Sequence, residues 1–430
     1  MLPLLRLVAT LAWLAAAAGP GDLAALKDGQ AVGAYRAQAV YLDPAGKPKG
    51  ARFLHERGAA VDVLFFDSVP QVSLYFRTPP EDERGAPHAL EHLLLGKGAA
   101  GRRLNTLMQM RMGDYTAGTY SDLTNYQFSS AAGPAEFYEL LDAFLGALVR
   151  PDFTDEEARR EAAHTAVAGS SGTLALEEKG TVYAEMVARM ERPDAVRWDE
   201  LGRLLYGPKH PLALNQGGEP SELWRLSPGD IRAFHERYYH LDGNMALIAA
   251  LPMGWTAADF LARLDETLRR LEPAGSPRTY PALPPFEPRA ERPIRFGRFP
   301  SDDAPAPQDV AMAWPPVRTF TLEEELRLGL ALDLLGGGEP SYLHRDLVDR
   351  KTRLFDSGAT GVGMGAAALP ASYAHLWLSG LPLTSLTPEI LGRLRAAVVD
   401  RARWLRELKA GSPELAETAE KTRARALARR

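Results

Sequence analysis

The pattern of apolar and polar positions divides this chain into short strands and amphipathic helices. Ala31–Leu42 alternates and predicts a strand. Val61–Phe66 and Gln71–Arg77 predict two more, the latter stopped by Thr78-Pro79-Pro80. A helix is expected from near Pro87, because proline suits a first helical turn. Glu136–Leu148 has a helical apolar period, Asp155 opens another helix, and Leu174–Met190 reads as helical by composition. Ser227-Pro228-Gly229-Asp230 caps a helix that carries AFHERYYH, and Asn244–Leu251 is an apolar strand.

Proline and glycine then crowd residues 273–293, which read as an interdomain linker. Beyond it the pattern predicts a strand at Val310–Trp314, a helix at Leu322–Leu335, a strand at Ala374–Ser379, and helices at Pro388–Leu408 and from Pro413 onward. The second half thus repeats the α+β texture of the first. The expected organisation is a leader at 1–19, a first α+β domain at 20–272, the linker at 273–293 and a second, similar domain at 294–430. The final stretch AEKTRARALARR is a helix without a stop signal, so the chain is expected to be part of something longer.

A length of 430 residues fits two domains better than one core. The net charge of −5 and the lack of a Lys/Arg cluster argue against nucleic acid as a partner. Leu7–Ala18 is an apolar run after a short positive start, with small residues Ala16 and Ala18 before Gly19-Pro20. This reads as a secretory leader, too short for a stable membrane anchor. With no cysteine in the chain, disulfides and thiolate ligands are excluded. Export to a bacterial periplasm or the medium is the expectation, and any metal site must use histidine and carboxylate.

His88-Ala89-Leu90-Glu91-His92 is the segment with the strongest chemical content. On a helix, His88 and His92 lie one turn apart on one face and can offer two imidazoles to one ion. Glu91 shares that side and is placed to act as a base toward water. Zinc needs a third protein ligand and an open position. Downstream candidates are Glu156, Glu157, Glu161, Glu177, Glu178 and Glu185. Glu156 and Glu157 lie in a charged stretch that reads as a solvated face. Glu185 lies in TVYAEMVARM, where a lone carboxylate is costly without a partner, and is favoured. Glu178, seven residues earlier on the expected helix, is a candidate partner for a ligand histidine.

FRTPPEDERGAPHALEH resembles the active-site segment of the pitrilysin/insulinase family of metallopeptidases (M16), its presequence-protease-like branch above all. The resemblance extends through RFLHERGAAVDVLFF, TYSDLTNYQFSS, EEKGTVYAEM, LNQGGEPSELWRLSPGDIRAFHERYYH and LLGGGEPSYLHRDL. It implies zinc, one ion per chain, on His88, His92 and Glu185, with Glu91 as the base of a metalloendopeptidase. It pairs Glu178 with Glu185 as a supporting carboxylate. It also implies two similar α/β sandwich domains of the inverzincin (LuxS/MPP-like) type, forming the N-terminal half of a clamshell. A C-terminal half or partner subunit would complete the chamber, and an unstructured peptide would be the substrate. Thr116-Ala117-Gly118-Thr119 falls on the edge strand that binds substrate backbone. Thr116 stands where the family usually has Asn, which leaves the local subsite geometry open.

Other chemistry-bearing residues read as structural. His210, His235 and His240 are interleaved with aromatic residues on packing segments, and His164 is expected in solvent. The glycines at 336–338 and 358–363 lack a phosphate-binding pattern and read as turns or hinges.

Overall fold

The computed structural model describes residues 20–169, 173–271, 280, 282–285, 293–300, 306–315, 320–366, 373–409 and 411–428. The expected leader and most of the expected linker lie outside them. The described chain forms two compact units: residues 1–186 with 214–283, and residues 187–213 with 284–430.

The first unit is built on an eight-stranded sheet. Its strands are β1 (Ala31–Val32), β2 (Tyr35–Leu42), β3 (Pro48–His55), β4 (Ala60–Phe66), β5 (Gln71–Arg77), β6 (Gly113–Thr119), β7 (Leu123–Ser130) and β10 (Met245–Pro252), numbered to leave β8 and β9 for a separate hairpin. The spatial order is β1-β2-β3-β4-β10-β5-β7-β6, in which β6 is, among the described residues, an edge strand paired only with β7. β10 runs parallel to β4 and antiparallel to β5. The helices include α1 (Ala86–Gly96), α2 (Gly98–Met110), α3 (Pro134–Val149), α4 (Asp155–Ala162), α5 (Thr181–Met190), α7 (Pro228–Tyr238) and α8 (Ala257–Leu271), with α6 left for the second unit.

The alternating buried residues Val72, Leu74 and Phe76 of β5 join Leu90 and Leu93 of α1 and Phe137, Leu141 and Phe144 of α3 in one core. Removing such side chains from water is the main stabilising term, roughly 1.5–3 kcal/mol for each large residue. Among the polar contacts, Arg52 grips Asp62 through two bonds of 2.9 and 2.8 Å across β3 and β4.

Three segments depart from the pattern expected of them. Ala31–Leu42 is not one strand: Gly33, at φ 59°, turns β1 back on β2 with Val32 opposite Tyr35. β3 lacks a clear polar-apolar alternation in sequence, yet it lies between β2 and β4. Leu174–Met190 is not one helix. Ala175–Lys179 is strand β9, paired antiparallel with β8 (His164–Ala168), and Gly180 at φ 133° separates it from α5. An L side chain at Gly180 would run into the Ala162 carbonyl, so the chain breaks there. His164 on β8 is partly buried, not fully in solvent.

The second unit has a three-stranded sheet ordered β11-β13-β12, from Gln308–Trp314, Ala374–Leu381 and Gly361–Ala366. Its helices include α6 (Pro193–Tyr206), α9 (Leu322–Gly336), α10 (Tyr342–Leu347), α11 (Pro388–Glu407) and α12 (Pro413–Ala428). The expected domain at 20–272 differs from the observed division because α6 packs with β11, placing Leu201 and Leu205 against Tyr373. Gly361 and Gly363 are strand residues, not hinges. A Cβ at Gly363 would collide with the Trp377 indole on the neighbouring strand.

In the first unit Arg57 and Asp242 form an ion pair with side chains only 8% and 12% exposed. Removing one member of such a pair strands the other charge. Asp242→Ala is therefore expected to cost about 3–5 kcal/mol, read from the midpoint of urea unfolding followed by tryptophan fluorescence.

Candidate metal centre

Helix α1 begins at Gly85, whose φ is 74° and whose missing Cβ leaves room for the Gly217 carbonyl. Glu83 ties that start to the Asn215–Glu219 loop: its carboxylate accepts from the Asn215 amide at 2.8 Å, and its carbonyl from the Glu219 amide at 2.8 Å. Pro87 occupies the first turn, as expected. Ala89, Leu90, Leu93 and Leu94 are buried and fix the helix rotation. The opposite side therefore presents His88, Glu91 and His92.

The His88 and His92 rings are 4.7 Å apart between centroids and nearly perpendicular, at 84°. Glu185 reaches both from α5: its Oε2 lies 3.8 Å from His88 Nε2 and 3.6 Å from His92 Nε2. One donor atom from each of the three residues falls within a 4.8 Å span. A tetrahedral zinc ion with bonds of about 2.0–2.1 Å separates its donors by about 3.4 Å. The two distances from Glu185 to the histidines exceed that by only a few tenths of an ångström. Glu185 is held through its neighbours, since Val182 and Met186 of α5 are buried while the Glu185 side chain is 55% exposed.

Glu91 is directed by a contact across to the edge strand. The Thr119 hydroxyl donates to Glu91 Oε2 at 2.9 Å. Burial raises the Glu91 carboxyl above its ordinary pKa, partly offset by the Thr119 hydrogen bond and by His92. Thr116, Ala117 and Gly118 lie on the same edge strand, with Thr116 exposed.

The supporting carboxylate is not Glu178. That residue sits on exposed strand β9, where its carboxylate accepts from the Tyr183 hydroxyl. The β8–β9 hairpin removes it from the helix on which it was expected. Glu161, at the end of α4, takes the role instead. Its Oε1 meets His92 Nδ1 at 2.9 Å and its Oε2 meets Lys97 Nζ at 2.9 Å. Burial raises the Glu161 carboxyl, but hydrogen bonds from His92, Lys97 and Thr181 outweigh it and hold the pKa down at about 2. For His92, burial opposes the charged ring, while Glu161, Glu91 and Glu185 overcome that and raise its pKa. Three carboxylates thus surround two imidazoles, a field that favours a cation. A signal for Glu161 was present in the sequence: with Ala158 and Ala162 it forms the buried stripe of an otherwise charged helix.

The remaining histidines weighed as structural are tied elsewhere. His235 Nε2 meets the Leu148 carbonyl at 2.7 Å, His210 Nε2 meets the Pro284 carbonyl at 3.1 Å, and His240 contacts the Glu236 carbonyl.

The family model of the peptidase M16 inactive domain matches residues 225–364, a stretch that contains none of His88, Glu91, His92 or Glu185. The mitochondrial presequence protease of Eremothecium gossypii is 28% identical over 342 residues, covering 74% of this chain and 31% of that protein. The chain spans 17% to 32% of the length of the curated relatives it matches. Among solved structures, a peptidase M16 inactive domain from Pseudomonas fluorescens superposes with a TM-score of 0.61 at 17% identity, covering 87% of this chain and 86% of the other. Pitrilysin gives a TM-score of 0.58 at 15% identity, covering 89% of this chain and 39% of its own. The mixed α/β fold is that of an M16 peptidase half. Sequence relatives, family model and fold agree in their likeness: the chain is similar to proteins of the peptidase M16 family and shares their fold.

Proposed function

We propose that this chain is the metal-bearing half of a zinc metalloendopeptidase that cuts short unstructured peptides. The observation that carries the reading is the convergence of His88, His92 and Glu185 within 4.8 Å, beside a carboxylate that is free of the donor set and held at 2.9 Å by Thr119. His88, His92 and Glu185 would hold the ion, one per chain. Bound zinc supplies Lewis acidity and brings the pKa of water toward neutrality. Glu91 accepts a proton at its carboxylate as water attacks the scissile amide, then returns it to the departing amine. Its burial-raised pKa suits both tasks. Glu161 holds His92 through Nδ1, so that Nε2 faces the ion with its lone pair. The free edge of β6, at Thr116–Thr119, offers main-chain groups to a peptide that adds as a strand.

A non-catalytic peptide-binding or assembly homologue is the rival, prompted by the inactive-domain match. The intact set of two histidines and two glutamates outside the matched stretch favours catalysis. The reading includes a second half, in the same chain or a partner subunit, that completes the chamber. It also includes export, on the strength of the apolar Leu7–Ala18 run after a short positive start. Among the described residues, no helix is long and apolar enough to cross a membrane.

The metal assignment is checked by zinc content after dialysis. Glu185→Gln is expected to lose most of the zinc, because an amide is a poor ligand beside a carboxylate. In a chelator competition, Glu161→Gln is expected to weaken zinc binding by about ten- to a hundredfold, whereas Glu178→Gln leaves it unchanged. Equal losses in both would return Glu178 to the site.

Glu91→Gln should keep its zinc and lose about a hundred- to ten-thousandfold in peptide hydrolysis, measured with a quenched fluorescent peptide. Undiminished turnover would instead support a base elsewhere. The chain alone should bind zinc but cut slowly, since this reading assigns the oxyanion donors, worth about 3–4 kcal/mol, to the second half. Adding the second half should raise kcat/KM far more than zinc affinity. Full activity from this chain alone would show that it holds those donors itself.

A further inference from the structure

Edge strand β6 contributes more than main-chain pairing groups. Its side chains alternate, as in any strand. Tyr115 and Ala117 pack against the core, while Asp114 and Thr116 are exposed. Thr119 shares the parity of Tyr115 and Ala117, so its side chain turns toward α1. There its hydroxyl donates to Glu91 Oε2 at 2.9 Å. A carboxylate can only accept, so the direction of this bond is unambiguous. The bond occupies one oxygen of Glu91 and fixes the plane of the group.

The ground beneath Thr119 is firm. Thr119 is in register with Thr124 on β7. The Thr124 hydroxyl meets that of Thr78 at 2.7 Å, and both threonines are fully buried. The turn between the strands is closed by the Tyr120 amide on the Leu123 carbonyl at 2.8 Å, and the Thr78 amide donates to the Asp122 carbonyl at 2.9 Å. On the same support, the Tyr126 and Tyr239 hydroxyls meet at 2.7 Å within the core. An exposed strand end would let its side chain sample several rotamers. This one is tied to the neighbouring strand and to the end of β5.

We infer that Thr119 is a positioning residue for the base: its hydroxyl holds one oxygen of Glu91, so that the other faces the reacting water, and it does so from the strand that receives the peptide. The inference rests on the proposed peptidase reading. It adds that the substrate strand and the base are one mechanical unit, joined by a single side-chain hydrogen bond. A base left to rotate would spend most of its time misaligned, and small misplacements of a catalytic group are costly in rate. Binding of the peptide, which depends on main-chain pairing along β6, would be little affected.

The test uses the zinc-loaded full chain as wild type, Thr119→Val and Thr119→Ser. Valine keeps the shape and removes the hydroxyl; serine restores it. Turnover of one unstructured quenched peptide and bound zinc are measured for each, and crystal structures of wild type and both variants report the Glu91 rotamer. Thr119→Val is expected to lower kcat by about ten- to a hundredfold, with KM and zinc content near wild type and Glu91 displaced or spread over two rotamers. Thr119→Ser should recover most of the rate and the single Glu91 position. Wild-type turnover with an unmoved Glu91 in Thr119→Val, or no recovery in Thr119→Ser, overturns the inference. If wild type holds zinc yet cuts nothing, the peptidase reading fails, and Thr119 is judged by the Glu91 position alone: displaced in the valine variant supports it, unmoved overturns it.

Discussion

A carboxylate as enclosed as Glu161, with a side chain only 6% exposed, must be answered by charge and hydrogen bonds. His92 and Lys97 answer it from α1 and from the residue that follows that helix. This buried cluster joins α4 to the histidine-bearing helix and sets the orientation of one imidazole. The geometry of the candidate metal centre depends on it, because a ring free to rotate could not hold its Nε2 toward Glu185. The cost of burying the carboxylate is offset locally, by donors the fold supplies at each oxygen.

The rest of the first unit serves to deliver three segments to one place. α1 arrives because its apolar side is buried and its start is docked on a glycine loop too tight for side chains. α5 arrives after the β8–β9 hairpin, which restarts the helix at Gly180 in time to bring Glu185 over the two histidines. β6 arrives as the free edge of the sheet, with Thr119 at its end. None of the three would form the site alone. The sheet fixes their separation, and helix packing fixes their rotation.

Nine histidines are present, and two converge with a carboxylate on a possible ion. The others described here illustrate how a core uses the same side chain differently. His55 meets Asp265 at 2.9 Å across more than two hundred residues of chain, and His235 caps a carbonyl at the end of α3. His375 lies against Trp198 and Trp377 in the second unit, where burial lowers its pKa. None of these three belongs to the group of residues that could share an ion among the described residues.

Helical spacing alone determined that His88, Glu91 and His92 share a face, because residues three and four apart coincide on any α-helix. The Ser227 cap and the strands β4, β5 and β10 were likewise legible, because their patterns are local, whereas the burial cost that favoured Glu185 is not what places it: its side chain is 55% exposed, and it reaches the two histidines only through the packing of α5. The role of Glu161 was only half legible: its spacing with Ala158 and Ala162 marks a buried stripe on a charged helix, but no local pattern says that His92 and Lys97 meet it there. Glu178 was misread for the complementary reason. Its spacing to Glu185 looked helical, but strand pairing with β8 and the glycine at 180 overrode the composition. Nor could sequence show that Thr119 faces Glu91, for strand parity becomes a direction only when the sheet has a helix on one side. Properties set by neighbours within one turn could be read from the chain; those set by contacts between distant segments existed only once the sheet and helices had packed.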